Sequence, residues 1–202
     1  MAITITPRPN VGSSGIIDDG GFEGFGSGGF DEDDLLILGD GVDNILEGGI
    51  GHDKIEGENG NDTITGGEGN DFLGGGPGDD ILDGQGGGGE KDKDKLFGDA
   101  GNDLLRAGFG FDELTGGSGN DIFEFYALGH YTVKDFSITE DRLLFDTTQT
   151  GIKDLDDLVQ LITGIDQRAD GVTVEFLNNA ATIELVGVNL ADLTPDMVIF
   201  ST

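Results

Sequence analysis

Residues 57–73 read GENGNDTITGGEGNDFL. Two phrases lie back to back, each with glycines ahead of an aspartate and one apolar residue two places beyond it: Asp62 with Ile64, then Asp71 with Leu73. The same phrase recurs as LGDGVDNIL (38–46), GGIGHDKIE (48–56), GGPGDDILD (75–83), GDAGNDLLR (98–106), AGFGFDELT (107–115) and GGSGNDIFE (116–124). Asp53, Asp62, Asp71 and Asp80 stand nine apart, and Asp94, Asp103, Asp112 and Asp121 resume that step. Asp43 lies ten before Asp53, which makes Glu47 an extra residue. The apolar partners are Ile45, Ile55, Ile64, Leu73, Leu82, Leu96, Leu105, Leu114 and Phe123.

A fixed nine-residue period means a stacked, quasi-one-dimensional fold. It does not suit an amphipathic helix, and the glycine load forbids one. Each unit predicts a glycine-rich turn of six residues followed by a three-residue strand with its middle side chain inward. Two units return the chain to its starting point. The expected fold is all-β: a flattened right-handed coil of parallel strands with one thin apolar column per side.

The turns point to a cation. Glycines at the first, second and fourth positions allow positive φ and expose carbonyl oxygens around the bend. The sixth-position aspartate adds a carboxylate. Stacked turns then offer the all-oxygen ligand set of Ca²⁺, whereas Mg²⁺ holds its waters and demands a stricter octahedron. The candidate metal ligands are Asp43, Asp53, Asp62, Asp71, Asp80, Asp94, Asp103, Asp112 and Asp121. Residues 38–124 contain 21 acidic against five basic side chains, a deficit of 16. Folding that charge tightly without counter-ions is prohibitive. Eight clear turns, four to an edge, leave three gaps per edge, so about six ions are expected, plus or minus two. Aspartates serving only as turn formers would not explain the apolar residue two places on.

The tandem G-G-x-G-x-D-x-U-x phrase resembles the nonapeptide of the RTX (repeats-in-toxin, hemolysin-type) family, a calcium-binding repeat. Four copies, at 48–53, 66–71, 75–80 and 116–121, have the full GGxGxD; Leu38 and Ala107 replace the first glycine elsewhere, and Glu58 and Asp99 the second. YTVKDFSITEDRLLF (131–145) and PDMVIF (195–200) are similar to that family's C-terminal flank. The resemblance implies a β-roll, calcium-dependent folding and export through a type I exporter that reads an uncleaved C-terminal signal.

The rest of the chain frames this array. Its formal net charge is -31 over 202 residues, which disfavours nucleic acid and anionic membrane surfaces as partners. With no cysteine, disulfides and thiolate metal sites are out. His52 and His130 are too few for a histidine-rich zinc site; His52 is expected to face solvent and His130 to pack in the cap. No apolar run is long enough to span a membrane. MAITITPRPN lacks the regions of a cleavable signal peptide, so the expectation is a chain that stays inside or is exported without one.

Residues 1–37, with Phe22, Phe25 and Phe30 among glycines, read as a flexible lead-in or a sticky tether. GQGGGGEKDKDKLF (84–97) takes 14 positions where nine are expected and reads as a protruding loop. Phe109 and Phe111 either stack on that insertion or form a small sticky patch. Residues 125–202 are expected to cap the coil, since an open solenoid end exposes strand edges. There IKDLDDLVQLI (152–162) places Leu155, Leu158, Val159 and Ile162 on one helix face, and VTVEFLNNAATIELVGV (172–188) reads as a hairpin around Asn178-Asn179.

No GxSxG, HExxH or Walker loop occurs, and KDKDKLFGD lacks the twelfth-position Glu of an EF-hand. An enzyme is not expected. The functional expectation is a secreted, calcium-responsive structural or interaction protein. The alternative is an adhesion or carbohydrate-binding module, with a cell-surface glycan or protein as partner.

Overall fold

In the computed structural model, the described residues are 4–6 (backbone only), 34–85 and 92–201. The strands run β1 (Thr4–Thr6), β2 (Leu36–Leu38), β3 (Ile45–Ile50), β4 (Lys54–Glu56), β5 (Thr63–Glu68), β6 (Phe72–Pro77), β7 (Ile81–Gln85), β8 (Lys95–Ala100), β9 (Leu104–Ala107), β10 (Phe111–Ser118), β11 (Ile122–Phe125), β12 (His130–Val133) and β13 (Arg142–Phe145). Two short helices follow, α1 (Thr147–Thr150) and α2 (Leu155–Leu161), then β14 (Ile162–Arg168), β15 (Gly171–Phe176), β16 (Ala181–Val186) and β17 (Val198–Phe200).

Successive repeats alternate between two sheets. One has the order β1-β2-β4-β6-β8-β10-β12-β16-β15-β14, the other β17-β13-β11-β9-β7-β5-β3. Within the repeats every pairing is parallel, and Ile55 pairs with Leu73 and Leu73 with Leu96. This is a parallel β-roll. Ile37, Ile55, Leu73, Leu96 and Leu114 form one inward column, and Leu46, Ile64, Leu82, Leu105 and Phe123 the other; all are buried. Burying one such side chain contributes roughly 1.5–3 kcal/mol, and most strands supply only one. Glycine lets the layers approach: a Cβ on Gly69, at φ +133, would overlap Gly51 O of the preceding layer.

Three expectations need correction. The first repeat is shifted by one residue. Leu46, 2% exposed, fills the inward position and pairs with Ile64, while Ile45 is 63% exposed. Leu46 is nine before Ile55, so Glu47 is not an extra residue. Second, β2 already belongs to the roll, pairing in parallel with β4, so the coil begins before Leu38. Third, α2 starts at Leu155 and contacts the core through Leu158 and Leu161, leaving Leu155 and Val159 exposed. Asp154 caps it, accepting from Asp157 N–H. The lead-in other than 4–6 and 34–37, and the loop tip at 86–91, lie outside the described residues.

The cap continues both sheets. β12 and β13 extend the two columns in parallel, the hairpin β15–β16 adds antiparallel strands, and β17 pairs with β13. Its core is aromatic: Phe145 packs against Phe125, Phe176 and Phe200 with ring centroids 5.6, 6.5 and 6.2 Å apart.

Candidate metal centre

Each turn stacks on the one two repeats away, on the same edge of the roll. On the edge that leads into β4, β6 and β8 and opens β10 stand Asp53, Asp71, Asp94 and Asp112. On the other, leading into β5, β7, β9 and β11, stand Asp62, Asp80, Asp103 and Asp121. All eight are buried.

Their two oxygens have different fates. Oδ1 accepts the backbone N–H of the sixth residue in the preceding layer: Asp71 from Asp53 at 2.9 Å, Asp94 from Asp71 at 2.9 Å, Asp80 from Asp62 at 2.7 Å, Asp103 from Asp80 at 2.8 Å. Oδ2 accepts nothing. Among the described residues, the buried side-chain N and O atoms without a hydrogen-bond partner are the Oδ2 atoms of these eight aspartates. Eight buried carboxylate oxygens left bare are intolerable unless protons or cations meet them.

A second ladder runs alongside through the fifth positions. Asp34, His52 and Asn70 on one edge, and Asp43, Asn61, Asp79 and Asn102 on the other, each accept the N–H of the fifth residue one layer on. His52 is thus a half-buried rung, its Nδ1 taking the Asn70 N–H at 2.8 Å, and not simply a solvent-facing residue. Asp43 belongs to this outer ladder and is exposed; Asn44 stands in the sixth position of its turn, donating its N–H to Asp62 Oδ1 at 2.7 Å. The Asn44 side chain is satisfied locally by Asp40. Asp43 is therefore not in the carboxylate row.

The oxygens converge. A Cβ on Gly48 would overlap Asp53 Oδ2 and lie 2.5 Å from Gly66 O of the next layer. Only a first-position glycine leaves that carboxylate and carbonyl room to meet. No group of three or more His, Cys, Asp or Glu side chains gathers among the described residues. A cation here would be met by row carboxylates and backbone carbonyls, the hard donors suited to Ca²⁺.

Burial acts on the row as expected for uncompensated charge. It pushes Asp53 and Asp80 up to about 6 and Asp71, Asp103 and Asp112 to about 7. Asp94 is pushed to about 9, by burial first and the Asp112 charge second. Asp62 and Asp121 are raised by the same desolvation.

The rows end in residues that sequence reasoning passed over. Asp141 extends one edge, accepting Asp121 N–H on Oδ1 at 2.9 Å, but its Oδ2 takes Ser137 N–H at 2.8 Å. Asp135 accepts Gly116 and Gly117 N–H, capping the last turn of the same row. On the other edge Tyr131 pairs with Asp112, and its hydroxyl lies 2.7 Å from Gly108 O and 2.8 Å from Ala127 O. Asp135 and Asp141 lie in the stretch 131–145 that is similar to the RTX C-terminal flank, which was a signal for both; the pattern gave none for Tyr131.

Stacked turns that leave one buried carboxylate oxygen bare per layer, beside inward carbonyls, define the class of calcium-binding β-rolls. The profile of the RTX calcium-binding nonapeptide repeat matches residues 38–73, 60–90 and 97–125, in four copies. Repeats of this family bind calcium. A comparison with curated proteins gives no match. Among solved structures, the chain is similar to the extracellular lipase LipA from Serratia marcescens, at 19% identity and TM-score 0.35. That alignment covers 83% of this chain and 40% of the lipase. It is also similar to the AlgE6R3 subunit of the Azotobacter vinelandii mannuronan C5-epimerase, at 24% identity and TM-score 0.42, with 81% of each chain covered. The strand order and register of this chain define its fold independently of either. No helix among the described residues is long and apolar enough to cross a membrane.

Proposed function

We propose that the chain is an exported, non-catalytic structural or interaction protein whose roll forms when calcium fills its two rows. The observation behind this reading is the set of eight bare Oδ2 atoms, four on each edge. Asp53, Asp71, Asp94 and Asp112 would hold ions on one edge and Asp62, Asp80, Asp103 and Asp121 on the other. Three gaps between four layers give about three ions per edge, and so about six. When bound, calcium supplies the positive charge that the buried carboxylates lack. The residues do the rest: Oδ1 locks each layer to its neighbour, the glycines hold carbonyls inward, and the aliphatic columns exclude water.

A ligand that binds only the folded form stabilises it by about 2.7 kcal/mol per site at a hundred times its Kd. At scarce intracellular calcium the acidic repeats stay extended, which suits passage through a type I exporter; millimolar calcium outside then folds them.

Far-UV circular dichroism in EGTA and then in millimolar CaCl₂ tests the folding step. A gain of β signal with about six ions bound by calorimetry is expected; identical spectra would refute it. Co-expression with a type I exporter, with and without residues 125–202, tests the route, and the truncated chain should stay in the cell.

A further inference from the structure

One turn departs from its fellows. In AGFGFD (107–112) the third and fifth positions are Phe109 and Phe111, where other turns place residues such as Glu68, Ser118, Asn70 or Asn120. The outer ladder of this edge has already ended one layer earlier, at Lys93, so that Phe111 N–H goes to Asp92 O and His130 N–H to Gly110 O. Both rings remain on the surface, Phe109 at 46% and Phe111 at 45% exposure. The turn leaves two aromatic rings partly in solvent where its fellows carry polar side chains.

The rings floor a groove of about 560 Å³ where the roll meets the cap. Its wall includes Leu128 and His130, and its far rim is the hairpin tip with Asn179. The floor is held firmly. His130 stacks on Phe111 with centroids 4.5 Å apart, and its Nδ1 is engaged with Thr182 Oγ1 at 3.0 Å. Lys93 Nζ approaches the Phe111 ring at 6.0 Å, so the end of the insertion also braces that ring. Among the described residues Phe109 makes no such ring contact. The tip is held in an uncommon shape, with Leu177, Asn178 and Asn179 all at positive φ. That conformation is costly for leucine and presents Asn179 to the groove.

Charge narrows the ligand. In a chain of net charge -31, none of the lining residues is Asp, Glu, Lys or Arg. An anionic ligand meets the protein's repulsive field. A cationic one finds no carboxylate in the groove to pair with. What remains is a neutral molecule with an apolar face for Phe109 and hydroxyls for a free amide and an imidazole. We propose that this groove binds a neutral oligosaccharide, a sugar ring stacking on Phe109 while its hydroxyls reach the Asn179 amide and His130 Nε2. The site rests on the calcium reading to the extent that its turn also carries Asp112.

Calorimetry and saturation-transfer NMR on the full chain in 5 mM CaCl₂ would test it with laminarihexaose, cellohexaose and mannohexaose, and with polygalacturonate as the anionic control. Binding of at least one neutral hexasaccharide is expected, weakened about tenfold by Phe109→Ala and by Asn179→Gly, which keeps the positive φ available. The circular dichroism and calcium midpoint of both variants should match the parent. Failure of all three neutral sugars on the folded chain, binding by polygalacturonate alone, or variants that bind like the parent would each overturn the proposal. A chain that binds the sugar but no calcium would sink the calcium reading and leave this one standing.

Discussion

The roll and the cap share two continuous sheets but solve the problem of an interior in opposite ways. In the roll most strands bury a single apolar side chain, and eight carboxylate oxygens lie bare between layers. In the cap Phe125, Tyr131, Phe145 and Phe176 are buried together, and the one carboxylate that continues a row, Asp141, has both oxygens hydrogen-bonded. The cap is held by its own side chains; the roll needs something added. The change falls within one or two layers, at Tyr131 on one edge and Asp141 on the other.

Calcium removal should separate the two regions most sharply. With EGTA at pH 7.5, hydrogen exchange followed by mass spectrometry should show amides of 39–121 losing protection wholesale while those of β15 and β16 keep a measurable part of theirs. Uniform loss, or none, would erase the distinction.

Acid should substitute for calcium in the roll. The row aspartates titrate higher in the fold, at about 6 to 9 for the six largest shifts, than the roughly 3.9 of an unfolded chain. Their folded form binds more protons, so the calcium-free roll is favoured below about pH 4 and loses that support as pH rises through 6 to 9. Circular dichroism of the calcium-free chain should show the β signal of the roll at pH 4 and its loss by pH 8, with the signal of the cap remaining. In saturating calcium the trend reverses, because protons compete for the same oxygens.

Phe145→Ala should cost about 3–5 kcal/mol in the cap. Calcium stoichiometry, read by native mass spectrometry, should stay the same. A loss of ions would mean the two interiors are not separable.

Asp80→Asn should have effects of opposite sign in the two solvents. With calcium it removes a ligand oxygen, raising the calcium midpoint about tenfold; without calcium at pH 7.5 it removes a buried charge and should stabilise the chain by about 1–3 kcal/mol. Asp141→Asn should shift the calcium midpoint least, since Ser137 already holds its Oδ2. Calcium titrations followed by circular dichroism, and pH titrations of the calcium-free chain from pH 4 to 8, measure both variants.

Much of the roll was legible because its rules are local. A period of nine, an aspartate and an apolar residue two beyond it fix the layers, and eight of the nine proposed aspartates fall in the buried rows. Asp43 misled because GDGVDNIL (39–46) fits two registers, Asp43 with Ile45 or Asn44 with Leu46. Stacking decides between them: Asn44 N–H must sit over Asp62 Oδ1, and only the nine-residue spacing puts it there. Tyr131 was invisible because its partner, Gly108 O, becomes available only where stacking stops. Val159 was placed inward by periodicity alone, and a helix of two turns beside a sheet buries a narrower stripe.

The central claim is that divalent ions stand where the row carboxylates are bare. Crystals grown in CaCl₂ and measured for calcium anomalous scattering test it directly. Peaks beside Asp53, Asp71, Asp94 and Asp112 on one edge and Asp62, Asp80, Asp103 and Asp121 on the other are predicted, with none at Asp43. Layers stacked as described but with no anomalous peak against any of those oxygens would contradict it.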